Sequence, residues 1–195
     1  MLFLLLSTSL VQAPSRDSVV YDLVPAGRFE VLTGKAGLLG FAGHTHVIRA
    51  NAFSGHIVWY PDQPAASHVS VSVPTERLEV MTPPDTAEIR KVTAAMREDV
   101  LDVAHYPVIT LDAPVVARAG DTLHIQAALT IKGKTREIPL TVYVHVEPDT
   151  LRASATFTVK QSDFGIQPYR GGPGGTVRVA DRVTFTIEAV TLRRR

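Results

Sequence analysis

Between Thr122 and Glu147 apolar and polar residues alternate with the two-residue period of a β-strand. Leu123, Ile125, Ala127, Leu129 and Ile131 alternate with His124, Gln126, Ala128, Thr130 and Lys132. After Lys132-Gly133-Lys134 the pattern resumes as Leu140, Val142, Val144 and Val146 against Thr141, Tyr143 and His145. Gly133 supplies the positive φ that a tight connection uses, so the stretch predicts a long antiparallel hairpin. Shorter runs carry the same signal: Val19 to Leu23, Arg28 to Leu32, His44 to Ala50, Phe53 to Tyr60 and Val69 to Val73. It returns over Val108 to Ala117, Leu151 to Lys160 and Val177 to Leu192. Ala153, Ala155, Phe157 and Val159 fall on one face, as do Val183, Phe185, Ile187 and Ala189.

The period changes once. Ile89, Val92, Met96 and Val100 recur near helical spacing, with Asp85 or Thr86 placed to cap the start, which predicts one helix over about 85–100. Gly37 to Gly43 is glycine-spaced and apolar, the mark of a bend or close backbone approach, and Gly171 to Gly175 reads as a loop. With no internal repeat or linker, the fold class is all-β. An extended antiparallel eight-stranded barrel with the helix packed alongside suits it best, because closure removes strand edges; a two-sheet sandwich fits the periodicity as well.

Composition narrows the function classes. The 195 residues carry a net charge of +1 with both signs interspersed, which offers no nucleic-acid footprint. Arg193-Arg194-Arg195 is the one basic run and reads as a frayed, solvated tail. The absence of cysteine excludes disulfides, thiolate catalysis and thiolate metal sites. Residues 1–13 form an apolar run of signal-peptide length, too short to span a bilayer. Residues 1–15 are therefore expected to be a signal peptide, 16–195 a single barrel domain, and the location periplasmic or secreted.

Little in the chain speaks for catalysis. No nucleophile elbow, phosphate-binding loop or dinucleotide fingerprint is present. Asp163-Phe164-Gly165 lacks the rest of a kinase signature, and Asp163 reads as a turn former. His44 and His46, two residues apart on one strand face, are a candidate metal pair, with His56 as third ligand across the intervening turn. The competing reading is a polar pocket mouth. His68, His105, His124 and His145 are scattered and read as solvated.

Several segments are also similar to the YceI family. They are Phe53-Ser54-Gly55, Met96-Arg97-Glu98-Asp99-Val100-Leu101-Asp102 leading to Tyr106-Pro107-Val108-Ile109, Leu129-Thr130-Ile131-Lys132-Gly133-Lys134-Thr135-Arg136, and Ser162-Asp163-Phe164-Gly165-Ile166. They occur in the family's order over roughly residues 20 to 190. The resemblance implies a lipocalin-like barrel with an apolar tunnel, a bacterial periplasmic setting and a polyisoprenoid-type ligand. Two departures stand out: Val100, Leu101 and Asp102-Val103 where the family carries a histidine and paired phenylalanines, and a doubled His44/His46 where many members have one.

The expectation is a non-enzymatic exported protein that holds a long apolar molecule for transport, storage or stress protection. The molecule would be an isoprenoid, isoprenoid quinone or fatty-acyl lipid. No cofactor is expected beyond such a ligand, no nucleic-acid partner, and at most transient membrane contact; the protein would be a monomer or homodimer. Phe41, Trp59, Leu129, Phe157, Phe164 and Phe185 are the candidate lining, with His44, His46 and Asp163 at the polar end. The alternative is a metal-binding protein or metalloenzyme built on His44 and His46.

Overall fold

A computed structural model describes residues 17–36, 45–81, 86–171 and 177–195. The expected signal peptide, the glycine-spaced bend and most of the 171–175 loop lie outside these. The described chain forms β1 (Val19–Leu23), β2 (Arg28–Ala36), β3 (Val47–Ala50), β4 (Ser54–Trp59), β5 (His68–Pro74) and β6 (Leu78–Val80). After α1 (Thr86–Ala95) come β7 (Val108–Ala119), β8 (Thr122–Ile131), β9 (Lys134–Val146), β10 (Thr150–Lys160), β11 (Arg170–Gly171) and β12 (Val177–Arg193).

The strands close into an eight-stranded antiparallel ring, β1-β4-β5-β7-β8-β9-β10-β12, with β12 returning to β1. The closed ring decides between barrel and sandwich. Three of its staves are bent. Both β1 and β2 run antiparallel to β12, and β4 and β3 run antiparallel to β1 and β2 in turn. Each consecutive pair is thus one strand interrupted by a bend, and β5 and β6 repeat the arrangement. Hydrogen bonds at the bends, Val24 N–H to the Val190 carbonyl and Asn51 N–H to the Arg77 carbonyl, carry the wall across the interruptions.

This geometry corrects one expectation from the sequence. Strands β3 and β4 share a direction and are not a hairpin, so His56 does not fold back onto His46. The two stand ten residues apart on one bent stave, roughly 30 Å of extended chain. The C-terminal arginines are a second correction. Arg193 belongs to β12, Arg194 N–H bonds the Val20 carbonyl, and its guanidinium pairs with Asp22. That hydrogen bond holds the Asp22 carboxyl below its usual range.

At one end of the ring, β6 has no strand on its far side among the described residues, and α1 stands there instead. A bare strand edge is a template for aggregation, and here side chains cover it. Thr93 Oγ1 accepts the Val80 N–H at 3.3 Å, and Arg97 donates to the Leu78 carbonyl at 2.9 Å. Helix α1 passes into a wider turn over Met96–Val100. Thr75, at the corner between β5 and β6, fixes the return of the chain: its N–H bonds the Pro107 carbonyl and its hydroxyl the Tyr106 carbonyl.

The inward side chains form two continuous layers. Tyr21, Ile57, Trp59, Val115, Leu123, Leu140 and Leu151 are buried at one end. Phe29, Leu78, Val80, Met96, Leu101, Ile131, Phe164 and Ile166 are buried at the other.

Candidate ligand-binding cavity

Between the layers lies a cavity of about 230 Å³ with an almost wholly apolar wall. On β8 its lining runs from Leu123 to Ile131, which is roughly 27 Å of strand at ~3.4 Å per residue. That volume spread over that length makes an elongated, narrow bore. Hydrophobic burial is the interaction such a space offers.

Large side chains line each end. At one end Trp59 lines the cavity, only 3% exposed, with the Arg118 guanidinium over its ring at 5.3 Å. At the other, Phe164 and Ile166 enter from the turn after β10, and Met96 and Leu101 from the wide turn after α1. Phe157 and Phe185, directly opposite on β10 and β12, stack at 4.9 Å with planes 4° apart and form part of the wall between the ends.

The family-like segments, far apart in sequence, meet at the Phe164 end. Lys132 and Gly133 both take positive φ in the β8–β9 turn, the geometry of a two-residue hairpin. Tyr106 lies where a Cβ on Gly133 would project, 2.9 Å from its ring. The Lys134 stem occupies the corresponding place at Gly165, another residue of positive φ. Lys132 Nζ bonds the Val100 carbonyl at 2.8 Å. The Leu-Thr-Ile-Lys-Gly-Lys, Tyr-Pro and Asp-Phe-Gly-Ile segments are thus parts of one closure.

Of the candidate lining residues, Trp59, Leu129, Phe157, Phe164 and Phe185 all border the cavity. Phe41 and His44 lie outside the described residues. Among the polar candidates, Asp163 is exposed on the outside of the 161–164 turn. His46 pairs through its backbone with Thr33: its N–H bonds the Thr33 hydroxyl at 3.1 Å, and its carbonyl accepts the Thr33 N–H at 2.9 Å. Thr33 borders the cavity, as do Gln161 and Ser154. Gln161 is anchored by its amide on the Ala180 carbonyl at 2.8 Å. Sequence reasoning passed over Thr33, Gln161, Met96 and Leu101 as lining; only the last two lie in a family-like segment. Among the described residues no three His, Asp or Glu side chains gather as a metal set.

The carboxylate that holds the Phe164 turn is Asp181 on β12. It accepts the Ser162 N–H at 2.8 Å and the Ser162 hydroxyl at 2.7 Å. Those hydrogen bonds, the hydroxyl's first, keep its carboxyl below the ordinary range.

An antiparallel barrel closed on itself around a narrow apolar bore defines a class of cavity-bearing β-barrels. Within that class the chain belongs to the family of the YceI-like domain, whose family model matches residues 26–191. Solved structures share the fold at low identity. BcnA of Burkholderia cenocepacia superposes with a TM-score of 0.69 at 17% identity, over 86% of this chain and 98% of that one. A polyisoprenoid binding domain from Saccharophagus degradans, implicated in plant cell wall breakdown, gives 0.67 at 12% identity, over 91% and 100%. The YCEI protein of Campylobacter jejuni gives 0.59 at 15%, over 76% and 85%. No curated protein matched the sequence.

Proposed function

We propose that the protein is an exported, non-enzymatic carrier of a long apolar molecule, an isoprenoid, isoprenoid quinone or fatty-acyl lipid, held lengthwise in the barrel. The observation that carries this reading is the bore itself: narrow, about 230 Å³, and walled by aliphatic and aromatic side chains from one buried layer to the other. A chain-like guest loses its water all round, at roughly 2.5 kcal/mol per 100 Å² of apolar surface. The Saccharophagus degradans relative, described as a polyisoprenoid binding domain, supports the isoprenoid class. The apolar run at residues 1–13 supports export.

Trp59 makes the test direct, because it is the sole tryptophan and borders the cavity. Titration with a long-chain isoprenoid quinone is expected to quench its emission saturably at one quinone per protein. Native mass spectrometry of the same sample is expected to show the added mass. An unchanged Trp59 signal together with no adduct for quinones, polyprenols and fatty acids would sink the carrier reading.

A further inference from the structure

Among the described residues, the ladder between β9 and β10 stops while both strands continue. Strands β9 and β10 pair from Leu151↔Val146 to Ser154↔Tyr143 and no further, although β9 runs back to Lys134 and β10 on to Lys160. The far end of this split is wedged by the turn carrying Phe164 and Ile166. Between wedge and ladder the strands lie side by side without pairing.

The direction of the backbone groups there follows from alternation along each strand. Glu147 N–H bonds the Thr150 carbonyl, so odd residues of β9 and even residues of β10 face one another. Val144 N–H bonds the Asp121 carbonyl, so even residues of β9 face β8. The groups that face the split are therefore those of Pro139 and Thr141 on β9, and of Thr156 and Thr158 on β10. Pro139 has no N–H to offer, which suits a strand position that lacks a ladder partner. The N–H groups of Thr141, Thr156 and Thr158 have no ladder partner across the split, and the carbonyls of these residues and of Pro139 face it as well. Behind the split, Leu140, Val142, Ala155 and Phe157 border the bore, and so does the exposed Ser154 at its margin.

We infer that this split is the head-group subsite and the side entrance of the cavity. The apolar chain lies in the bore while a compact head bearing hydrogen-bond acceptors, such as a carbonyl or ester oxygen, rests between β9 and β10 on the Thr141, Thr156 and Thr158 N–H groups. The inference rests on the carrier reading and adds the chemistry of the guest's polar end. A nearly all-apolar bore leaves a polar head unsatisfied, and an unpaired buried acceptor is costly. The split is where the wall offers uncommitted donors next to water.

The test compares an isoprenoid quinone with squalene, an oxygen-free isoprenoid, on the full chain. Two hydrogen bonds at the split predict that the wild type binds the quinone about tenfold more tightly than squalene. The double variant Thr141→Cys/Thr156→Cys joins residues that would be opposite had the ladder continued, in a chain with no other cysteine. Once oxidised it is expected to lose the quinone preference and load slowly, and reduction is expected to restore both. Thr156→Pro removes one donor without breaking a ladder bond and is expected to lower quinone affinity a few-fold while squalene affinity holds. Equal binding of both ligands by the wild type, or oxidised and reduced forms alike with the preference retained, overturns the subsite. Failure of the wild type to bind either ligand overturns the carrier reading with it.

Discussion

Gly165 is held at φ 70° with the Lys134 side chain against it, so its lack of a Cβ serves both the turn and the closure. Gly165→Ala is expected to cost about 1–2 kcal/mol from the left-handed backbone alone, read as a lower midpoint in denaturant unfolding. Asp181 gives a pH signature at the same closure. Its carboxyl is held below the usual value by Ser162, so the stability it lends is present above the unfolded carboxylate pKa near ~4 and lost as pH falls through the lower folded value. Asp181→Asn should lower Tm by on the order of 2 °C at pH 7. The gap between wild type and variant should narrow as pH falls below the ordinary carboxylate range, and a gap of constant size down the titration would contradict this account.

At the scale of elements, the contact of α1 with β6 is the one that replaces strand pairing with side chains. Thr93→Val keeps the shape and removes the acceptor, leaving the Val80 N–H buried and alone. A loss of about 1–3 kcal/mol is expected in chemical denaturation, with the far-UV spectrum of a barrel retained. The β8–β9 hairpin was legible because both strands bury one face and wet the other, and Gly133 sits at positive φ as its turn demands. The bent staves were not. Periodicity reports which face a residue takes and is silent on which strand lies beside it, so β3 and β4 looked like hairpin partners. The basic tail misled for a related reason: an exposed charge run reads as frayed until a partner such as Asp22, 172 positions away in sequence, is brought beside it. Trp59, Leu129, Phe157, Phe164 and Phe185 were legible as apolar positions in phase. Thr33 and Gln161 carried no signal, because a polar residue facing inward breaks the very pattern that marks the inside.

For the whole molecule, the barrel joins the two ends of the described chain. Strand β12 pairs with β10 along one side and with β2 and β1 along the other, and takes β11 at its start. Taken stave by stave, with β1/β2, β3/β4 and β5/β6 each one stave, neighbours in the wall follow one another along the chain, but the seam that makes the ring does not. During synthesis β1 and β2 emerge first and must wait with one edge open until β12 appears. Long-range pairings of this kind fold slowly, because the loop is closed before the contacts that reward it form. A ribosome-bound chain that stops short of Val177 is therefore expected to stay protease-sensitive, and resistance should arrive in a single step once β12 is free. On this account the last strand of the barrel acts as a timer, leaving the earlier strands open until it has been made.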